Sequence, residues 1–83
     1  MIIFTKHAEE KLATNEAKSF EISKKVIIRL LDNSLVETKL PKGILRVVGA
    51  LNESHSLCIV FKRENDIIKV ITFFPARKGR YED

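Results

Sequence analysis

A chain of 83 residues has room for one domain and one core, and its 45% apolar and 31% charged shares lie outside the range of disordered chains. Fifteen Lys and Arg against eleven Asp and Glu leave a net charge of +4, mildly favouring nucleic acid as a partner. The charge is spread evenly: eight basic and six acidic residues run up to Gly43, seven and five after it, so no basic arm or acidic tail carries it. A single cysteine, Cys58, excludes an internal disulfide and a cysteine-based zinc site and fits a reducing compartment.

The first apolar residues, Ile2-Ile-Phe4, read either as an edge strand or as a staple for the helix that follows. Thr5 is placed to cap a helix from Lys6 to about Ala13, with Ala8 and Leu12 four apart on one face and His7 and Lys11 four apart on a neighbouring one. Thr14–Ser19 has no clear period and either extends that helix or forms a loop. A second helix runs over 20–33: Ser23 caps it, Ile22 staples it, and Val26, Ile27, Leu30 and Leu31 form its buried stripe.

From Leu35 the apolar period changes from 3.6 to 2. Four β-prone runs, 35–40, 44–51, 56–63 and 67–74, are separated by Pro41-Lys-Gly43, Asn52-Glu-Ser-His55 and Glu64-Asn-Asp66, and the last is expected to stop at Pro75. The expected architecture is a single α+β domain, two N-terminal helices packed on one face of a four-stranded antiparallel meander. Strict alternation assigns Leu45, Val47, Leu51, Leu57, Ile59, Phe61, Ile68, Val70, Thr72 and Phe74 to the helix-covered face. It leaves Arg46, Val48, Cys58, Val60, Lys62, Lys69, Ile71 and Phe73 on the other. That second face mixes apolar residues with cations, so the tail, a second copy of the chain or a partner is expected to cover it.

Two features carry candidate chemistry. His7 suits a general base or a phosphate ligand, or simply lines the helix surface. The tail Arg77-Lys-Gly-Arg-Tyr81 concentrates two guanidiniums, an ammonium and an aromatic ring behind the last strand, as a phosphate-binding edge needs; Glu82 and Asp83 equally fit a solvated terminus. Cys58 reads as a small mid-strand hydrophobe and His55 as a turn residue. No His/Asp/Glu spacing suggests a metal site, no glycine-rich loop suggests a nucleotide, and no cofactor is expected. Nor does any apolar run approach the roughly 18 residues of a membrane span, and the start lacks the pattern of a signal peptide, so a cytoplasmic protein is expected.

Three stretches, with the order of elements, resemble the RelE/ParE-like toxin superfamily, and more narrowly its stand-alone branch. These are the helix Thr5-Lys-His-Ala-Glu-Glu-Lys-Leu12, the helix Ile22-Ser-Lys-Lys-Val-Ile-Ile-Arg-Leu30 and the strand Val70-Ile-Thr-Phe-Phe74; the basic tail is similar to that of BrnT-type toxins. The resemblance implies a ribonuclease-like fold, metal-free cleavage of RNA, often ribosome-bound mRNA, and an antitoxin partner over the active face. Residue by residue it points to His7, Lys11 and Thr72 and to Arg77, Arg80 and Tyr81 of the tail. The site expected from these and from the charge pattern has His7, Arg80 and Tyr81 as catalytic candidates, with His7 or Tyr81 handling the proton, and Lys11, Thr72, Arg77, Lys78 and Arg46 or Lys69 as phosphate contacts. Where the family has an arginine after the histidine this chain has Lys11, which lacks a bidentate fork. The rival readings are a nucleic-acid binder without turnover and a homodimeric module joined through Val48, Cys58, Val60, Ile71 and Phe73.

Overall fold

The computed structural model describes residues 1–33 and 36–79. These described residues form an α+β fold of three helices and one five-stranded mixed sheet. Strand β1 (Ile2–Phe4) is followed by helices α1 (Lys6–Leu12), α2 (Asn15–Ser19) and α3 (Lys24–Asn33). Then come β2 (Thr38–Lys39), a 3-10 turn (Pro41–Gly43), β3 (Ile44–Ala50), β4 (His55–Glu64) and β5 (Ile67–Arg77), giving the sheet order β1-β5-β4-β3-β2.

Local chemistry starts each helix. The Thr5 hydroxyl accepts from the Ala8 N–H, the Thr14 hydroxyl from the Ala17 N–H, and Ser23 Oγ from the Val26 N–H, each satisfying a donor that the first helical turn leaves orphaned. Thr14 thus makes 15–19 a short helix of its own, and the two expected helices are three. Ile27 is fully buried, with Val26, Leu30 and Leu31 packed around the same core. All three helices cover one sheet face: Ala8, Ala17, Ile22 and Ile27 close over Val47, Leu57, Ile59, Phe61, Val70 and Phe73.

Strands β2 to β5 pair antiparallel in chain order, but the sheet is five-stranded and mixed rather than the expected four-stranded antiparallel one. Ile2–Phe4 takes the edge-strand alternative and pairs parallel with β5, Ile2 against Ile68 and Phe4 against Val70. A parallel neighbour 66 residues away leaves no mark in local turn signals, and so the four-strand expectation fell short.

Two further corrections concern β5. Its register against β4 slips between Val60 and Phe61: Phe61 opposes Val70 but Val60 opposes Thr72, so Ile71 is the extra residue of a β-bulge. Beyond the bulge the faces exchange. Phe73, 1% exposed, enters the core beside Ile59, while Thr72 and Phe74 turn to the face away from the helices. The strand also continues through Pro75, which opposes Leu57, and ends at Arg77. β1 pairs only as far as Val70, so Pro75 sits on an edge where its missing N–H breaks no ladder. No helix among the described residues is long and apolar enough to cross a membrane.

Candidate nucleic-acid interface

Where β1 stops, α1 takes over the edge of β5. The Thr5 N–H donates to the Val70 carbonyl and the Thr5 hydroxyl to the Ile71 carbonyl, at 3.0 and 3.1 Å, which fixes the start of α1 against the bulge. Two residues into the helix, His7 Nε2 lies 3.4 Å from Thr72 Oγ1, at the long end of hydrogen bonding. One turn later, Lys11 Nζ lies 5.4 Å from the centre of the Phe73 ring and 5.9 Å from that of Phe74, within cation–π range of both.

The far face of the sheet, away from the helices, can be read row by row from its register. One row runs Thr38, Arg46, Val60, Thr72, with His7 at its end. Arg46 stands two strand spacings from Thr72, about 10 Å. The next row runs Ile44, Lys62, Lys69, Ile3. On the other side lies Val48, Cys58, Phe74. His7 therefore sits where a cationic half of the face meets an apolar half.

The apolar half is already closed within this chain. Cys58 is 0% exposed, and Ser56 and Ala76 are buried. Burial pushes the Cys58 thiol pKa up, and the positive charge of Arg46 partly offsets the effect. The set expected to join two copies is not one exposed patch, since Phe73 faces the helices and Cys58 is covered. The large apolar side chains that are exposed among the described residues are Met1, Ile3 and Val36.

Of the candidate residues, the fold gathers His7, Lys11 and Thr72 at the β5 edge and sets Arg46 and Lys69 on the adjoining face. Arg77 is placed elsewhere. It opposes His55 on the helix side of the sheet, five residues and roughly 16 Å along β5 from Thr72. His55 there meets the Phe20 ring edge-on at 4.9 Å, and the Lys78 N–H donates to the Ser54 carbonyl just past the strand. Gly79, at φ +89°, turns the chain in a conformation suited to glycine. Arg80 and Tyr81 lie outside the described residues.

Sequence reasoning did not single out Lys62 as a site residue, although alternation put it on the far face. Its signal is its pairing: it opposes Lys69 directly across β4 and β5. Strict alternation puts Phe74 in the core, because the bulge that turns it to the far face leaves no mark in the alternation.

The chain matches no protein-family model, and neither a curated protein nor a solved structure matches it.

Proposed function

We propose that this protein is a metal-independent endoribonuclease of the RelE/ParE-like toxin kind, with His7 moving the proton and the cations of the far face holding phosphate. The observation that carries the reading is the contact between His7 and Thr72 at the margin of a face bearing Arg46, Lys62 and Lys69. Metal-free RNA cleavage needs little more than a proton carrier and fixed positive charge. With Nε2 turned to Thr72, the imidazole presents Nδ1 to the substrate and takes the proton of the ribose 2′-hydroxyl. The 2′-oxygen then attacks phosphorus, and the bond from phosphorus to the 5′-oxygen breaks. That oxygen leaves with a proton from solvent or from the imidazolium, giving a 2′,3′-cyclic phosphate and a 5′-hydroxyl end. Arg46, in the row that ends at His7, stabilises the charge that grows on the phosphorane, and the lysines of the adjoining row hold the strand. Within this reading an antitoxin partner meets the same cations with acidic residues and shuts the face.

The test is induced expression in a bacterium with transcript profiling, beside purified protein and labelled RNA in excess chelator. Wild type is expected to arrest growth and leave cyclic-phosphate ends, and His7→Ala to lose at least about a hundredfold in rate, the usual worth of a general base. Absence of arrest and of cleavage, with His7→Ala indistinguishable from wild type, would sink the enzyme; RNA binding without turnover would then remain.

A further inference from the structure

We infer that Lys62 and Lys69 form a second phosphate subsite, one nucleotide from the His7–Thr72 position, and that the far face takes a single RNA strand by two consecutive phosphates. The inference rests on the ribonuclease reading and adds what part of the substrate is held.

Lys62 and Lys69 are direct partners in the β4–β5 register, and both lie on the far face. Like charges placed directly opposite destabilise a sheet. One of the two is partly compensated, because Lys69 Nζ reaches Glu64 Oε1 at 3.2 Å. Lys62 is exposed and has no ion pair among the described residues. A cross-strand repulsion of this kind is relieved by an anion bound between the two ammoniums.

Spacing makes that anion a phosphate of a chain. The Lys62–Lys69 row is one pleat repeat from the Arg46–Val60–Thr72 row, about 6.6 Å along the strands. That is close to the separation of successive phosphates in an extended single strand. The backbone would run along β4 and β5, with the scissile phosphate beside His7 and Arg46 and its neighbour on the lysines. Ile3, 37% exposed and in register with Lys69, borders the second position as an apolar contact for a sugar or base.

The track is also bounded. The next row beyond the lysines pairs Glu64 with Ile67, and the row on the opposite side is Val48, Cys58 and Phe74. Among the described residues neither row carries a cation on its strands, and the Glu64 carboxylate ends the track on the lysine side.

The experiment uses fluorescein-labelled 2′-O-methyl RNA, which cannot be cleaved, as a dinucleotide, a trinucleotide and an octamer without terminal phosphates. Anisotropy is read over a salt series for wild type and Lys62→Gln, with cleavage of ordinary RNA measured in parallel. Wild type is expected to gain most of its affinity between one phosphate and two. Lys62→Gln should abolish that gain and flatten the slope of log affinity against log salt by about 0.7, the value of one single-strand phosphate contact. Because the substitution removes a repulsion, the variant should melt no lower than wild type, which separates lost binding from lost folding. An unchanged slope and length dependence in Lys62→Gln would overturn the subsite, and the ribonuclease reading would survive if cleavage persists. Binding with the expected length step but no cleavage would overturn the enzyme and leave the subsite standing. Failure of wild type to bind even the octamer would overturn both.

Discussion

The hydroxyl of Thr5 joins the start of α1 to the carbonyl of Ile71, the extra residue in β5. The same oxygen accepts from the Ala8 N–H, so one side chain caps a helix and pins a bulge. Through this link the position of His7 depends on a strand 65 residues further on.

Thr5→Ala removes both bonds. A lost cap costs about 1 kcal/mol, up to 2 in some hosts, and a lost hydrogen bond to a part-buried carbonyl about 1 more. Thr5→Ser keeps the oxygen and is expected to recover most of the loss. Urea unfolding measures the stability. If Thr5→Ala and Thr5→Ser unfold at the same midpoint, the double role of the hydroxyl is wrong.

The bulge makes neighbouring phenylalanines unequal. Phe73→Ala empties the core beside Ile59 and should cost about 3–5 kcal/mol, most of the stability of a small domain. Phe74→Ala, on the far face and half-buried, should cost roughly half that or less. Unbroken alternation demands the opposite order, so the two midpoints decide between a bulged and a regular β5.

Gly49 lies on the helix-covered face of β3, and a Cβ built there would meet Leu30 Cδ2 at 2.7 Å. Leu30 belongs to α3, so a methyl group at Gly49 pushes on the helix. Gly49→Ala is expected to destabilise by about 1–3 kcal/mol through overpacking. Adding Leu30→Val should make the pair cost less than the two single changes combined. Additive losses would show that Leu30 does not rest on Gly49.

Cys58 gives a pH signature. Its folded pKa is raised by burial, with Arg46 opposing, whereas in the unfolded chain it ionises near its ordinary value of about 8.5. A raised folded pKa contributes stability that is intact below the unfolded value and is lost as pH rises through it towards the folded one. Wild type should therefore lose more stability than Cys58→Ala between pH 7.5 and 9.5. A thiol reagent such as Ellman's should react with native protein only as fast as the chain opens. Rapid native labelling, or parallel stability curves for the two proteins, would contradict the burial.

What the sequence determined by itself is local. Thr5 and Ser23 cap helices, turn residues separate the runs that become β2 to β5, and the apolar stripe of α3 faces the core, because each signal lies within a few residues of what it specifies. Arg46 and Lys69 were placed on the far face correctly, since their strands alternate regularly up to the bulge. Tertiary packing decided the rest. Pairing Ile2–Phe4 with β5 depends on contacts across nearly the whole chain, and the extra residue at Ile71 is stabilised by Thr5 from another element. That single residue moves Phe73 inward, turns Thr72 outward to His7 and leaves Arg77 on the helix side. The site is a product of register, and register is settled by which distant side chains fill the core together.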